Sequence, residues 1–370
     1  MPPKRKATLE TPQPRRKSAR LNPAVEPEPP ETWPELARLT KERINRYESA
    51  SSKKARKGDE KLKPCMIALL DWLPEEGRES AAHDMLKSIT DDMLYDMFQN
   101  IRTCLLFPMK AAGSSSVSRT PIAKREEDVE IVASIPEEEP QKQQDKFRAD
   151  ILRRDNHRCV ITNGLDRDKW LEMGEPDDID CEDLDATHII PFPLASWKPT
   201  PGSTHDVSQI WETLFRYFPG IRHIKMGIES INDRSNGITL RDDIHKSFGN
   251  FAFSFVPTET PHIYDPKTYR RAISGHVKRE IAKVGRVTLQ QANGAEDVPL
   301  PSAVLLDCHW RVSEILNASG MGEEFDRHWR EWEDIKMSTG DGCLKEDGST
   351  DVSRYLEVAF WNLVDQAVSC

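Results

Sequence analysis

Two short segments of the sequence carry histidines in settings where an imidazole could do chemistry. The first, DLDATHIIPF at residues 183–192, holds His188 among apolar neighbours, and the second, NGITLRDDIHKSF at 236–248, holds His245. A histidine side chain titrates close to neutral pH, so its neutral nitrogen can take a proton from water or bind a metal ion. If folding brings the two histidines together, they make a small site for a metal and a base.

The pattern around the histidines predicts two strands followed by a helix. Apolar and polar residues alternate over 183–192, which predicts a strand. The Asn-Gly dipeptide at 236–237 is a tight-turn signal before a short apolar strand at 238–240. The acidic pair at 242–243 favours a helix N-terminus. On that helix His245 lies beside the apolar face, from which it can point toward the strands.

Together, DATHIIPF and NGITLRDDIHKSF resemble the HNH endonuclease family, whose ββα-metal motif (His-Me finger) has a histidine, an asparagine and a second histidine. His188, Asn236 and His245 match these positions, and the nine-residue separation of the last two fits the family spacing. The chain is especially similar to fungal HNH domains over about 147–256, with a weaker match to about 335. The resemblance implies an α+β fold: a ββα-metal HNH core with a long insertion, flanked by mostly helical N- and C-terminal regions.

The resemblance also implies a reaction and a role for each matched residue. The reaction is hydrolysis of phosphodiester bonds in DNA, assisted by one divalent cation that holds the phosphate and stabilises the transition state. By this analogy His188 is the general base, Asn236 orients the site through its side-chain hydrogen bonds, and His245 is a metal ligand. The expected cation is Mg²⁺, with Mn²⁺ as an alternative, and such hard ions prefer oxygen ligands. Asp185 is therefore the candidate for a further metal ligand or for orienting the base.

Departures from the family pattern leave a second interpretation open. Many HNH enzymes have an acidic residue directly before the first histidine, where this chain has Thr187. Asp185 is a weaker substitute, because in a regular strand it faces away from His188. Many relatives also carry CxxC pairs for zinc, whereas Cys159 is followed by Val-Ile-Thr, which predicts no structural zinc. The alternative to an enzyme is a catalytically silent HNH module that binds DNA or a protein partner.

Composition divides the chain into five segments. Residues 1–32 are rich in proline and poor in bulky apolar side chains, so they are predicted to be a disordered basic tail. The other segments are a helical region at 33–109, a linker at 110–145, the HNH nuclease domain at 146–260 and a C-terminal helical region at 261–370. An insertion at 193–235 is expected to build a lid or a subdomain.

The expected partner, DNA, conflicts with the net charge of −10, so phosphate contacts would have to come from local basic surface. The candidates are Lys267, Arg270, Arg271, Lys278, Arg279 and Lys283. The first four recur at i, i+3, i+4 and i+11, which on a helix places them on one side. The alternative is an ordinary solvated helix face.

Composition also bears on cellular location. The seven cysteines are odd in number and lack paired spacing, which is typical of reduced thiols in an intracellular protein. No apolar run is long enough to span a membrane, and the N-terminus lacks the apolar core of a secretory signal. Basic clusters at 4–6 and 15–17 resemble a bipartite nuclear-import signal, or else form a solvated tail, so a nuclear or cytoplasmic location is expected.

Overall fold

The computed structural model describes residues 32–48, 56, 58–113, 138–191, 194, 201–269 and 273–337. The predicted disordered tail with its two basic clusters, most of the predicted linker and the residues beyond 337 lie outside the described residues. From Trp33 onward, the described residues belong to one compact unit. Within those ranges, no helix has the length and hydropathy needed to cross a membrane.

Helices dominate the chain on both sides of a small strand-containing centre. The α-helices are α1 (Trp33–Arg46), α2 (Asp59–Trp72), α3 (Glu75–Lys87), α4 (Asp91–Ile101), α5 (Phe107–Gly113), α6 (Glu138–Arg154), α7 (Arg167–Glu172), α8 (Pro201–Tyr217), α9 (Pro219–His223), α10 (Asp242–Gly249), α11 (Gly275–Lys283), α12 (Ala303–Ser319) and α13 (Met321–Met337). The strands are β1 (Leu165–Asp166), β2 (Cys181–Glu182), β3 (Leu184–His188), β4 (Gly237–Arg241), β5 (Phe253–Pro257), β6 (Ile263–Thr268) and β7 (Val287–Thr288). This arrangement confirms the predicted α+β fold with helical flanks.

The N-terminal helices form where the apolar periodicity predicted them. Thr90 precedes α4, and its side chain accepts a hydrogen bond from the backbone N–H of Met93 (3.2 Å), which satisfies one of the free donors at the helix start. Leu69 of α2 and Phe98 of α4 are fully buried. The C-terminal helix α12 packs against both α2 and β5, so the two helical flanks share one hydrophobic core with the centre.

At the centre, β3 and β4 form an antiparallel pair, and α10 follows β4 directly. The register is continuous and places His188 opposite Gly237, so β3 contains no bulge. Leu240 and the α10 residues Ile244 and Phe248 are buried and hold the helix against the strands. The predicted order of two strands and a helix is thus confirmed.

Helix α6 lies directly on the β3–β4 hairpin, and Gly237 permits this close approach. A Cβ at position 237 would lie 2.6 Å from Cζ of Phe147 and 2.7 Å from Cδ1 of Ile151. At the end of α6, Arg154 and Asp155 form a buried ion pair (2.8 Å). Arg154 donates to the Gly237 carbonyl (2.9 Å), and Asp155 accepts from a backbone N–H of β4 (3.0 Å). Because both buried charges are paired and hydrogen-bonded, they anchor the helix to the strand.

A three-stranded sheet continues past residue 260, where the sequence predicted a domain boundary. β5 pairs with β6, and β6 pairs with β7, all antiparallel. The aromatic rings of Phe255 and Tyr264 meet across the first pair, 6.1 Å apart. The prediction that Lys267 shares a helix with the basic residues 270–271 and 278 is therefore wrong, because β6 and α11 are separate elements. Here the packing between strands overrides the helical preference of the local sequence.

The insertion at 193–235 contributes helices α8 and α9. Helix α8 packs against α3 and the π-helical turn Arg102–Leu106. Arg216 of α8 donates two hydrogen bonds to Asp84 of α3, and the indole N–H of Trp211 donates to the Leu194 carbonyl (2.9 Å). The described part of the insertion is thus a helical subdomain packed on the N-terminal helices.

Gly237→Ala should lower the free energy of unfolding by about 1–3 kcal/mol, because the added methyl group overlaps Phe147 and Ile151. Gly285→Ala is the matched control, since a Cβ there meets no atom within 4 Å. Chemical denaturation followed by circular dichroism measures both variants. Equal midpoints would contradict the close contact between α6 and the hairpin.

Candidate active site

His188 ends β3, and its ring is held on one face and at one edge. The ring of Phe147 from α6 stacks on it, with centroids 4.1 Å apart and planes 7° from parallel. Its Nε2 lies 2.9 Å from Oδ1 of Asn232. An amide oxygen accepts a hydrogen bond from Nε2–H, which leaves the lone pair of the neutral ring on Nδ1. These contacts define the orientation of the imidazole, and a proton on Nε2 is the tautomer that fits an amide oxygen at this distance.

The protonation state of His188 is set mainly by the burial of its ring. Burial lowers the pKa of His188 to about 4, the hydrogen bond with Asn232 opposes this change, and the charge of His245 adds to it. Loss of hydration penalises the charged imidazolium more than the neutral ring. At neutral pH the ring is therefore uncharged and able to accept a proton.

Asn232 is the contact that sequence analysis missed. It lies in the turn before β4, four residues ahead of Asn236, which occupies the position that matches the family. The sequence signal for this contact with His188 was the presence of a second asparagine in the same turn-rich segment. Spacing alone does not tell which of two nearby asparagines reaches a histidine on another strand.

Asn236 is fully buried and joins two stretches of backbone. Its Oδ1 accepts from the N–H of Ile190 (2.8 Å), and its Nδ2 donates to the carbonyls of Ile190 (3.0 Å) and Ile231 (2.9 Å). These hydrogen bonds tie the chain after β3 to the loop before β4. Its predicted orienting effect on the site would thus act through the backbone.

His245 projects from α10 toward Asp185 of β3. The Nδ1 atom of His245 lies 3.0 Å from Oδ2 of Asp185, and Oδ1 of Asp185 lies 3.9 Å from Nη1 of Arg148. Arg148 also donates to the Leu184 carbonyl (2.7 Å). A carboxylate bound to one ring nitrogen of a histidine commonly orients the other nitrogen toward a metal ion. Here that other nitrogen is Nε2 of His245.

Asp185 therefore contacts His245 and not His188. Because β3 is regular, residues three apart point to opposite faces, as the strand alternation predicted. The expectation that Asp185 orients the base is wrong, since Asn232 occupies that place. Its assignment to the metal side of the site stays a prediction.

The side chains near His245 fit a loosely held divalent ion better than a closed metal site. The described residues contain no group of three or more His, Cys, Asp or Glu side chains arranged to hold a metal. Nε2 of His245 can face an ion while Nδ1 holds Asp185, whereas a carboxylate oxygen of Asp185 would have to leave Nδ1 to bind the same ion, so the pair would supply two protein ligands at most. The hydroxyl of Thr187 is a buried oxygen on the same strand face as Asp185 and makes no hydrogen bond within the described residues. Ions such as Mg²⁺ commonly complete their coordination with water and substrate phosphate oxygens.

Where many relatives have a zinc-binding CxxC pair, hydrogen bonds and an ion pair close the turn at residues 159–162. The sulfur of Cys159 accepts from the backbone N–H of Thr162 (3.5 Å) and of Arg241 (3.3 Å). Thr162 donates its hydroxyl to Glu182, which pairs with Arg241 (3.0 Å). Burial raises the pKa of the Cys159 thiol, so the sulfur stays protonated at neutral pH.

The basic residues chosen from the sequence lie on more than one element of the fold. Lys267 forms an ion pair with the buried Glu314 and lies 5.3 Å from the ring of Tyr269. Lys283 pairs with Glu280 (2.6 Å), and Arg270 and Arg271 lie outside the described residues. Lys278 and Arg279 on α11 are exposed and make no ion pair with any described residue. These two keep the capacity to contact phosphate.

Comparison with known proteins agrees with this geometry. The family model described as HNH endonuclease matches residues 159–256, the segment that contains β3, the insertion, β4 and α10. No curated protein and no solved structure gives a significant match. The domain at residues 159–256 therefore belongs to the HNH endonuclease family.

Proposed function

We propose that this protein is a metal-dependent endonuclease that hydrolyses phosphodiester bonds in DNA with the help of a single divalent ion. The observation that carries the proposal is the pairing of two histidines with two different partners on one ββα unit. His188 is neutral and held by an amide, whereas His245 is held by the carboxylate of Asp185. The first arrangement suits a base, and the second suits a metal ligand.

In this proposal, Nδ1 of His188 takes a proton from a water molecule as the oxygen of that water attacks the phosphorus atom. The stack with Phe147 and the hydrogen bond to Asn232 keep the ring from turning away during the attack. The new phosphorus–oxygen bond forms as the bond to the leaving sugar oxygen breaks. His245 would hold the divalent ion through Nε2 while Asp185 orients its ring, and the bound ion would neutralise phosphate charge and stabilise the leaving oxygen. Mg²⁺ or Mn²⁺ suits this mixed oxygen and nitrogen donor set.

The DNA partner would be held through local cations, because the chain as a whole is negatively charged. Lys278 and Arg279 are exposed, on consecutive positions of α11, and unpaired within the described residues. Arg148 lies beside Asp185 and is a further candidate cation, close to His245. Such groups can contact the phosphate backbone without reading base sequence.

A silent HNH module that binds DNA without cutting it is the second candidate. It is favoured by Thr187, which stands where many relatives have an acid, and by the absence of a third acidic or histidine ligand among the described residues. A supercoiled plasmid incubated with Mg²⁺, with Mn²⁺ or with EDTA separates the two candidates. Nicking in the metal arms alone supports the enzyme, and binding without nicking in any arm supports the silent module.

His188→Ala should reduce plasmid nicking by about 10²–10⁴-fold, the usual contribution of a general base. Its free energy of unfolding should stay within about 1–2 kcal/mol of the wild type, since only one half-buried ring is lost. His223→Ala, which removes an exposed histidine of α9, is the matched control and should nick normally. A His188→Ala protein that cuts at the wild-type rate would remove His188 from the mechanism.

Asp185→Asn should weaken Mn²⁺ binding by about 10–100-fold, because it removes the carboxylate that orients His245. His245→Ala should weaken Mn²⁺ binding at least as much, because it removes the ligand itself. Isothermal titration calorimetry measures both affinities. DNA binding in EDTA, followed by fluorescence anisotropy, should not change in either variant. His276→Ala removes an exposed histidine of α11 and serves as the control. Unchanged Mn²⁺ affinity in His245→Ala would contradict the ligand role.

His188 should remain neutral as the pH falls from 7 to 5, because its pKa is lowered to about 4 from the ordinary value of 6.5. Protonation, and with it loss of the base, is expected only as the pH approaches 4. The ring carbon resonances of the histidines, titrated by NMR without metal, test this, and His188→Ala assigns the signal by its disappearance. A midpoint near 6.5 for that signal would contradict the effect of burial.

A further inference from the structure

We propose that the exposed turn at the end of α9 is a DNA contact, in which Arg222 and Lys225 bind backbone phosphates and Ile224 packs into the groove between them. These three residues form the basic tip. The proposal rests on the proposed function for the identity of the partner, duplex DNA. It deepens that function by placing a substrate contact in the insertion, outside β3, β4 and α10.

The first support is a pair of cations without a counter-ion. The side chains of Arg222 and Lys225 are exposed, and neither forms an ion pair with a described residue. Arg216 of α8, in the same insertion, is by contrast committed to Asp84 of α3. A paired cation must give up its carboxylate to bind a phosphate, whereas the two cations of the basic tip can neutralise phosphates directly.

The second support is the apolar side chain between the two cations. Ile224 leaves 40% of its surface exposed, and it is one of five exposed large apolar side chains within the described ranges. It alone among the five has a basic residue as a direct neighbour in the chain, whereas Met93, Leu171 and Met173 each adjoin an acidic residue. Apolar side chains flanked by lysine or arginine are typical of elements that press against base steps in the minor groove. A groove offers this arrangement its counterpart, because sugar and base edges lie there between two rows of phosphates.

The third support is the backbone of the turn, which is rigid and places Lys225 in a disfavoured conformation. The N–H of Met226 donates to the Ile221 carbonyl (3.2 Å), and the N–H of Lys225 donates to the Arg222 carbonyl (3.0 Å). This is the Schellman pattern of a helix end, in which the residue before the last donor is left-handed and most often glycine. Here that residue is Lys225, with φ at 56°. A lysine at a position that favours glycine indicates a role for its side chain, and phosphate contact supplies that role.

The fourth support is the short path from the basic tip to the candidate active site. Asn232, which contacts the ring of His188, follows Lys225 by seven residues, and the 3-10 helix Ile228–Ser230 shortens the path between them. Seven residues of fully extended chain span at most about 25 Å. A duplex rises about 3.4 Å per base pair, so this distance corresponds to about seven base pairs. One short duplex is therefore long enough to contact both the basic tip and the active site.

The test is the salt dependence of binding to a short labelled DNA duplex, measured by fluorescence anisotropy in EDTA over a series of KCl concentrations. The slope of log Kd against log salt should fall by about 0.9 in Arg222→Ala and in Lys225→Ala, because each lost phosphate contact releases fewer counterions. The double variant should lose about twice as much. Unrelated duplex sequences should give the same result, since phosphate contacts do not read bases.

Ile224→Ala should weaken binding about 10-fold at every salt concentration and leave the slope unchanged, because it removes apolar contact but no charge. Lys87→Ala and Ile89→Ala are the matched controls, since an exposed lysine and an exposed isoleucine have the same two-residue spacing there, in the turn after α3. His223→Ala is a control within the turn itself, because it removes no lysine or arginine. All three controls should keep the wild-type slope and affinity.

Lys225→Gly separates DNA contact from a role in folding. Glycine relieves the left-handed backbone, so this variant should unfold at a higher denaturant concentration than the wild type. Its salt slope should nevertheless fall by as much as that of Lys225→Ala. A lysine with a purely structural role would leave the slope unchanged in both variants.

Wild-type slopes and affinities in all the variants of the basic tip would overturn the proposal and direct the search to an acidic protein partner. An equal change of slope in Lys87→Ala would also overturn it, because the effect would then come from overall charge. A wild type that binds the duplex but nicks no plasmid removes the endonuclease activity alone. A wild type that nicks, with unchanged slopes in the variants, removes the basic tip alone, and a wild type that binds no duplex removes both.

Discussion

The close contact of helix α6 with the β3–β4 hairpin is the constraint on which the site depends. At Gly237 the helix comes so near that a single methyl group would meet Phe147 and Ile151. The same approach brings Phe147 onto the ring of His188 and Arg148 to within 3.9 Å of Asp185. Helix α6 precedes the segment that matches the HNH family. The family segment alone therefore lacks side chains that hold both candidate histidines.

The buried ion pair at the end of α6 has a second consequence for the site. Arg154 donates to the carbonyls of Arg234 (3.0 Å) and Pro299 (3.1 Å) as well as to that of Gly237. One guanidinium thus joins the loop before β4, the start of β4 and the chain that leads into α12. A buried arginine without these acceptors would be costly, so the position of each segment is coupled to the others. A phosphate-binding role for Arg154 is excluded by the same contacts.

Sequence reasoning succeeded where short-range patterns decide the structure. The turn dipeptide, the apolar alternation and the acidic helix start were enough to predict β3, β4 and α10, and the spacing of His188, Asn236 and His245 pointed to the family. It failed where pairing partners lie far away in sequence. The basic pattern that begins at Lys267 indicated a helix, yet Lys267 belongs to β6, which pairs with β5 from Tyr264 to Thr268. Pro266 is tolerated because β7 pairs only with residues 263–264, which leaves this part of β6 on an edge.

The two histidines show why site roles also depend on structure. Each motif offered a histidine with several polar neighbours, and the sequence could not say which neighbour touches which ring. Strand alternation correctly separated Asp185 from His188, but it did not reveal that α10 would bring His245 to Asp185. The partner of His188 comes from a loop whose path is set by Asn236 and Arg234. Pair contacts of this kind arise from loop paths, and these follow no short sequence period.

The C-terminal helix α12 adds a third histidine, which has a packing role. The ring of His309 lies between Phe248 (3.7 Å) and Phe251 (4.4 Å), and its Nε2–H donates to the Phe248 carbonyl (3.0 Å) at the end of α10. Burial lowers the pKa of His309 to about 3, so the ring stacks as a neutral aromatic group. Phe248 lies three residues after His245, so α12 fixes the helix that presents the candidate metal ligand. The helical flank beyond the family segment is thus part of the framework of the site, as α6 is on the other side.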